Sequence, residues 1–227
     1  MLSIHPSYIL QPASITKRGR RTRTINRALD RHCRLPISRQ MISWITHFLA
    51  AGFLLFEIYL LAVKRGRDPV KAGDQGTLRL VWILIGGGCL VGFLLAPKFS
   101  FFRWPDSLAI ILGADLLLVA GIALRIWAIV HLGKFFTVDV GIQQGHRVVQ
   151  DGPYRLVRHP SYSGSLLALT GIACLTFNGL GFLTIIVSSL LAYSLRISVE
   201  EKMLFEVLGD DYRRYAARTK RLIPGIF

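Results

Sequence analysis

The stretch GPYRLVRHPSYSG, residues 152–164, is polar, basic and rich in turn-forming residues, although long apolar runs flank it on both sides. Pro160 suits the first turn of a helix, so a helix is predicted to begin at His159–Pro160, with Ser161 and Ser163 expected to satisfy its free N–H groups. Unpaired N–H donors at a helix start favour an anionic group such as a carboxylate. The stretch therefore indicates either a ligand site or a simple membrane-entry turn whose Tyr and Arg side chains lie at the headgroups.

The rest of the composition is typical of a membrane protein. The chain has 227 residues, of which 52% are hydrophobic, and its mean hydropathy is +0.45. About 20 apolar residues in a helix cross a hydrocarbon core of roughly 30 Å. Runs of that kind, the last two at the low limit of length, predict five transmembrane helices over 42–63, 77–96, 107–130, 161–177 and 179–195. The short break around Asn178 predicts that the last two form a helical hairpin, and the fold class is an all-α, polytopic membrane protein.

The distribution of Lys and Arg predicts the sidedness of the chain. They concentrate in the loop after the first span, in the loop 131–160 and in the tail from 196, whereas the loop 97–106 holds two and the hairpin turn none. Cytoplasmic loops carry the excess of Lys and Arg. These three segments are therefore expected to face the cytoplasm in a multi-pass integral membrane protein.

Residues 1–40 conflict with that orientation, because they carry nine Lys and Arg against one acid, Asp30. Two interpretations stay open: a disordered basic arm that touches anionic lipid, or an artefact upstream of a true start at Met41. The predicted domains are this arm, three transmembrane helices over 41–130, and a region over 131–227 with the polar loop, the last two helices and the tail.

A second group of polar residues lies where the fifth span ends. Arg196 and Glu200 are four residues apart and share one helix face. Apolar and aromatic residues continue at helical spacing over 204–215, which predicts a C-terminal amphipathic helix on the cytoplasmic membrane surface, kinked or ended at Gly209. An interfacial Arg–Glu pair contributes little stability by itself, but ionisable residues at a membrane boundary are commonly functional.

Other candidate features carry less chemistry. The three cysteines form no CxxC and the six histidines no HExxH, so neither a disulfide nor a metal site is predicted. The glycine-rich IGGGCLVG at 85–92 lies within an apolar span, which favours close helix packing over nucleotide binding. Asp115 in the third span is expected to face protein without an identifiable partner, and Arg125 to snorkel or to face the site.

The two polar groups together resemble the isoprenylcysteine carboxyl methyltransferase (ICMT) family of integral-membrane methyltransferases, and this short chain resembles its prokaryotic members. The resemblance covers roughly residues 121–227. Its motifs are LGKFFT (132–137), GHRVVQDGPYRLVRHPSYSG (145–164), EEKMLFEVLGDDYRRY (200–215) and RLIPG (221–225). The RHPxYxG element alone is also similar to phospholipid N-methyltransferases and some membrane reductases, and its combination with the downstream EExxLxxxxGxxYxxY is more specific.

The resemblance implies S-adenosylmethionine (AdoMet) as methyl donor, with S-adenosylhomocysteine (AdoHcy) as product, bound on the cytoplasmic side. It implies a lipophilic acceptor that enters from the bilayer, with membrane lipids as neighbours and neither nucleic acid nor metal as partner. Arg196 matches the residue that meets the acceptor, and Arg196 and Glu200 are the expected catalytic pair. The implied cofactor-binding residues are His146, Arg147, Val148, Val149, Tyr154, His159, Pro160, Ser161, Tyr162 and Glu200.

The chemistry of these residues fits the implied roles. The helix start and His159 suit the carboxylate of AdoMet, Glu200 its ammonium, and Val148 with Val149 its adenine. A guanidinium matches carboxylate geometry, so Arg196 suits a carboxylate acceptor, such as that of a C-terminal S-isoprenylcysteine. An ionised carboxylate needs no general base, and alignment then dominates catalysis. A thiol acceptor would need deprotonation, with Arg196 stabilising the thiolate.

Two alternatives remain at this point. A phospholipid N-methyltransferase would act on an amine, for which Arg196 is an awkward neighbour. A non-catalytic lipid-binding membrane protein would use its basic tail only to contact anionic lipid.

Overall fold

The computed structural model describes most of the chain beyond its first segment. The described residues are 37–63, 71–72, 76–142, 145 and 147–225. The described residues from Ile45 onward belong to one compact unit. The predicted arm over 1–40 lies outside the described residues except for 37–40, which are helical.

The described residues are mainly helical, which confirms the predicted all-α class. Five helices follow one another along the chain: α1 (Ile37–Val63), α2 (Thr77–Leu95), α3 (Leu108–Leu132), α4 (Pro160–Cys174) and α5 (Gly179–Arg218). The strands are one antiparallel pair of two residues each, β1 (Lys71–Ala72) and β2 (Gly141–Ile142). Short 3₁₀ turns occur at Ser100–Phe102, Gly133–Phe135 and Gly152–Arg155.

Four of the five helices are long and apolar enough to cross a membrane. The qualifying segments are Trp44–Val63, Thr77–Leu95, Leu108–Phe135 and Gly179–Arg218. Helix α4 has only 15 residues, fewer than the roughly 20 that a hydrocarbon core requires. The structure therefore does not confirm the prediction of a fifth span, although α4 forms where the sequence places it.

Glycines bring α3 and α4 into close contact. A Cβ atom added at Gly121 in α3 would lie 2.4 Å from the backbone nitrogen of Ala168 in α4. A Cβ added at Gly164 in α4 would lie 2.6 Å from the backbone nitrogen of Arg125 in α3. Small residues at such positions let two helix backbones approach closely. This packing fixes the start of α4 against α3.

The second glycine contact joins α2 to α5. A Cβ added at Gly92 would lie 2.9 Å from the carbonyl oxygen of Gly181, and one at Gly88 would overlap the side chain of Ser188. Gly88 and Gly92 therefore serve the close helix packing that was predicted for the segment 85–92, whereas an added Cβ at Gly86 or Gly87 meets no atom within 4 Å.

Asn178 begins α5 and closes the hairpin with α4. Its side-chain oxygen accepts hydrogen bonds from the backbone N–H groups of Leu180 and Gly181 (2.9 and 3.2 Å). Its side-chain amide donates to the carbonyl oxygens of Ala96 and Phe99 (3.3 and 2.7 Å). One fully buried side chain thus caps α5 and ties it to the chain that follows α2, in agreement with the predicted hairpin.

Helix α5 is 40 residues long and contains the predicted kink at Gly209, where φ is 52° and ψ is −127°. The predicted extension beyond the fifth span forms as the second half of this helix, and its place on the cytoplasmic membrane surface remains a prediction. The segment 219–222 then returns to the start of α4. The N–H groups of Arg158 and His159 donate to the carbonyl oxygens of Lys220 and Arg221 (2.8 and 3.0 Å).

Glu201, on α5, holds this return in place. Its side chain is 3% exposed. One carboxylate oxygen accepts from Arg158 Nε (2.7 Å), and the other accepts from Arg221 Nε (2.9 Å). Arg158 also donates to the carbonyl oxygens of Ala216 and Thr219 (2.7 and 2.5 Å). Two guanidinium groups therefore compensate one buried carboxylate and fasten the end of the chain to the start of α4.

The glycine contact predicts that Gly121→Ala destabilises the protein, because a methyl group meets backbone atoms that cannot rotate away. Overpacking costs about 1–3 kcal/mol, which exceeds the ~0.5–1 kcal/mol that alanine gains over glycine in a helix. Gly113→Ala is the matched control in α3, since its added Cβ meets no atom within 4 Å. Thermal unfolding in detergent measures both. Equal melting temperatures for the two variants would contradict the close contact.

The Glu201 contacts predict that Glu201→Gln unfolds more readily, because two guanidinium groups lose their charged partner. Breaking a buried ion pair from one side destabilises by about 3–5 kcal/mol. Glu206→Gln is the control, since Glu206 is exposed on the same helix. Chemical denaturation in mixed micelles compares them, and similar midpoints would show that Glu201 does not anchor the end of the chain.

Candidate functional site

A cavity of about 490 Å³ lies where α4 begins, where the second half of α5 runs, and between α1 and α2. Small-molecule sites usually occupy about 300–1,000 Å³. The wall that α1 and α2 contribute, the apolar limb, carries mostly apolar side chains, among them Leu54 and Leu61 of α1 and Leu78, Trp82 and Cys89 of α2, and Glu57 is its charged residue. The other end is polar and is built from α4, α5 and the loop before α4. One cavity is therefore lined both by charged side chains, such as Arg196 and Glu200, and by apolar side chains of α1 and α2.

The start of α4 supplies the aromatic and imidazole groups of the polar end. His159 is the N-cap residue and Pro160 occupies the first turn, as predicted. The Tyr162 hydroxyl donates to Glu200 Oε2 (2.9 Å), and His159 Nδ1 lies 3.9 Å from Glu200 Oε1. The ring of Tyr162 stacks between those of His159 and Tyr193, with centroids 5.7 and 5.2 Å apart. The stacking fixes the orientation of the tyrosine that holds Glu200.

The predicted capping role of the two serines is wrong. Within the described part of the chain, no side chain caps the start of α4. Ser161 instead accepts from Arg125 Nη1 through its carbonyl oxygen (3.1 Å) and its hydroxyl (2.9 Å). Ser163 donates its hydroxyl to the carbonyl oxygen of Leu222 (2.6 Å). Both serine hydroxyls are hydrogen-bonded to residues outside α4, namely Arg125 and Leu222. The start of α4 therefore has no side-chain cap that would compete with a ligand.

Glu201 also orients His159. His159 Nε2 lies 3.3 Å from Glu201 Oε1, on the opposite side of the ring from Glu200. Because Glu201 is an acceptor, it favours the hydrogen on Nε2 and turns Nδ1 toward Glu200 and the cavity. Sequence reasoning assigned no role to Glu201. Its place directly after Glu200 was the available signal, but only the folded chain shows that consecutive residues of a helix serve different partners.

Arg196 lies on the wall of the cavity and is held at a fixed position. Its side chain is 2% exposed. Nη1 donates to the Thr77 hydroxyl at the start of α2 (2.5 Å), and Nη2 donates to the carbonyl oxygen of Val138. Arg196 and Glu200 both line the cavity, as expected for two residues four apart on one helix face.

The ionisable residues of the first and third helices form contacts that sequence reasoning did not identify. Arg125 Nε and Nη2 meet the two oxygens of Glu57 at 2.6 and 2.7 Å, so the pair is bidentate. Both residues line the cavity, which confirms that Arg125 faces the site. Asp115 accepts from the Thr46 hydroxyl (2.9 Å), which identifies its partner. Charges at membrane depth are expected to pair in this way.

Tyr154 is a structural member of the cavity wall. Its hydroxyl donates to the carbonyl oxygen of Ala128 (3.2 Å), and its own carbonyl oxygen accepts from the Tyr215 hydroxyl (2.7 Å). Burial raises the pKa of Tyr154 above its usual range, so the hydroxyl stays protonated as a donor.

The structure brings nearly all predicted site residues to the cavity. Pro160 is buried at the helix start outside the lining, and His146 lies outside the described residues. Among the residues that the structure describes, no group of three His, Cys, Asp or Glu could hold a metal. The predicted residues that line the cavity are Arg147, Val148, Val149, Tyr154, His159, Ser161, Tyr162, Arg196 and Glu200.

Comparisons with known proteins agree on one family. The sequence model of the isoprenylcysteine carboxyl methyltransferase (ICMT) family matches residues 108–206. A probable protein-S-isoprenylcysteine O-methyltransferase of Oryza sativa subsp. indica is 30% identical over 187 residues, 78% of this chain and 94% of the relative. The protein-S-isoprenylcysteine O-methyltransferase of Schizosaccharomyces pombe is 35% identical over 112 residues, 47% of this chain and 46% of the relative.

A shorter match and a solved structure extend the comparison. Methanethiol S-methyltransferase 1 of Bradyrhizobium diazoefficiens is 34% identical over 71 residues, 31% of this chain and 24% of the relative. The structure of the eukaryotic intramembrane Ras methyltransferase ICMT has a TM-score of 0.53 and 25% identity, and the match covers 62% of this chain and 52% of that chain. Since the rice relative is matched over nearly its whole length, the chain is a multi-pass membrane methyltransferase of the carboxyl methyltransferase class and belongs to the ICMT family.

Proposed function

We propose that the chain transfers a methyl group from AdoMet to the carboxylate of a lipophilic acceptor, such as a C-terminal S-isoprenylcysteine, at the cytoplasmic face of the membrane. The observation that carries this proposal is the single cavity that contains His159, Glu200 and Arg196 together with an apolar limb. A charged methyl donor requires polar side chains and a lipophilic acceptor requires apolar ones, and both must lie in the same cavity. The excess of Lys and Arg in the loop 131–160 and in the tail supports the cytoplasmic placement.

The donor set of the polar end fits AdoMet. Glu200 would hold the ammonium, with His159 Nδ1 as a second acceptor for it, and the N–H groups at the start of α4 would hold the carboxylate. Val148 and Val149 line the cavity and would cover the adenine. When bound, AdoMet supplies an electrophilic methyl group on a positively charged sulfur. The contacts of Glu200 with Tyr162 and of His159 with Glu201 hold these side chains in place before binding.

Arg196 would orient the acceptor. Its contacts with Thr77 and Val138 fix the guanidinium on the cavity wall, and a fixed guanidinium matches a carboxylate better than a flexible one. An ionised carboxylate needs no proton removed before it attacks. The remaining work of the protein is to align the acceptor oxygen and to exclude water, which the buried walls of the cavity favour.

A thiol acceptor is the second candidate, and the similarity to a methanethiol S-methyltransferase favours it. The apolar limb argues for the lipophilic carboxylate, because methanethiol has a single carbon and does not require walls from α1 and α2. An amine acceptor, as in a phospholipid N-methyltransferase, would place a second cation beside Arg196.

The product distinguishes these acceptors. Membranes containing the protein are incubated with AdoMet labelled in the methyl group and with an S-farnesylated N-acetylcysteine, and the lipid extract is treated with alkali. We expect label in the extract that alkali releases as methanol, since the product is an ester. Label that resists alkali would contradict a carboxylate acceptor and support a thioether or amine product.

Substitutions separate the two halves of the site. Glu200→Ala is expected to weaken AdoHcy binding about 10- to 100-fold, since a hydrogen bond to a charged group contributes about 1.5–3 kcal/mol. Arg196→Ala is expected to keep AdoHcy affinity within a few fold but to raise the KM for the farnesylated acceptor. Calorimetric titration and initial rates measure the two effects.

Glu206→Ala is the control, because this carboxylate lies on the same helix outside the cavity. It should leave both parameters unchanged. The assignment of roles is wrong if Glu200→Ala binds AdoHcy like the wild type, or if Arg196→Ala loses AdoHcy and acceptor equally.

A further inference from the structure

The hydroxyl of Tyr212 has no hydrogen-bond partner among the described residues, although the side chain is only 4% exposed and lines the cavity. Other buried polar atoms without hydrogen bonds have different explanations. Those of Glu57 and Arg125 meet each other in an ion pair at 2.6 Å. Ser165 and Asp115 carry such atoms too, but neither lines the cavity. Tyr212 alone among these combines an unpaired group with a ligand-sized space.

The ring of Tyr212 is packed against other aromatic rings, whereas its hydroxyl makes no hydrogen bond to the described residues. It packs edge to face against Phe205 and Tyr215, with centroids 4.9 and 5.9 Å apart. A buried hydroxyl without a partner destabilises a folded protein, whereas phenylalanine would fill the same space without that penalty. The hydroxyl is therefore available to a ligand in the cavity.

The surroundings of Tyr212 indicate which part of a ligand it meets. The carboxylates of Glu200 and Glu201 both act on the hydroxyl electrostatically. The hydroxyl therefore lies within electrostatic reach of the carboxylates of Glu200 and Glu201. A tyrosine hydroxyl can donate to a carboxylate or accept from an ammonium, and the amino-acid end of AdoMet carries both groups.

We propose that Tyr212 is a further ligand-binding residue, whose hydroxyl hydrogen-bonds the amino-acid end of AdoMet and AdoHcy. This inference rests on the proposed function. It also gives the kink at Gly209 a role, because Tyr212 and Tyr215 follow the kink and both line the cavity. The second half of α5 then belongs to the cofactor site as well as to the anchoring of the chain end.

The test is Tyr212→Phe, with binding measured by calorimetric titration in detergent. The dissociation constant for AdoHcy is expected to rise about 3- to 10-fold, the loss of one hydrogen bond. The constant for 5′-methylthioadenosine, which keeps the thioadenosine but lacks the amino-acid end, should not change. The melting temperature without ligand should stay equal or rise, since an unpaired buried hydroxyl has been removed.

Tyr215→Phe is the matched control, because the Tyr215 hydroxyl is buried, lines the same cavity and donates to the carbonyl oxygen of Tyr154 at 2.7 Å. Its loss should lower the melting temperature without ligand. A similar drop in Tyr212→Phe would show that the Tyr212 hydroxyl is paired within the protein and would overturn the inference.

The remaining outcomes separate this inference from the proposed function. If the wild type binds AdoHcy and Tyr212→Phe binds it equally well, or loses both ligands in proportion, only the role of Tyr212 is overturned. A wild type that does not bind AdoHcy overturns the proposed function and the role of Tyr212 with it.

Discussion

The buried carboxylate of Glu201 joins three segments that are distant in sequence: the residues before α4, the middle of α5 and the end of the chain. Arg158 and Arg221 each occupy one of its oxygens, and His159 shares one of them. A buried carboxylate is costly without such partners, so the three segments are stable only together. The same contact orients the imidazole at the cavity wall. Anchoring of the chain end and arrangement of the site therefore depend on one interaction.

The rest of the site follows from how the helices are packed around that junction. Glycines bring α4 close to α3, and the bidentate pair of Arg125 with Glu57 extends this packing to α1. Arg196 connects α5 to the start of α2. Each helix that borders the apolar limb is thus tied to the polar end by a charged side chain. This arrangement places a mostly apolar wall and several charged side chains in one cavity.

Sequence reasoning was most accurate where local rules decide the structure. The proline at 160 set the start of α4, Gly209 set the kink, and a spacing of four placed Arg196 and Glu200 on one face. It failed where partners come from other helices. Ser161 accepts from Arg125 and Ser163 donates to Leu222, so neither serine caps the start of α4.

The length of α4 and the pairing of buried charges also depend on contacts between helices, which the sequence alone does not reveal. The apolar run 161–177 looked like a span, but the helix ends at Cys174. The last residues of the run form the turn before Asn178, whose side chain caps α5 and also donates to the carbonyl oxygen of Ala96 at the end of α2. Glu57 and Arg125 were each visible as ionisable residues in apolar spans, yet they lie 68 positions apart. Sequence periodicity cannot predict that two residues on different helices will form an ion pair.

A crystal or cryo-electron microscopy structure of the protein with AdoHcy tests the central claim most directly. We expect the amino-acid end of AdoHcy between His159 and Glu200, the adenine against Val148 and Val149, and the sulfur directed toward Arg196 and the apolar limb. AdoHcy bound elsewhere, or bound with its sulfur separated from that limb by protein, would contradict it.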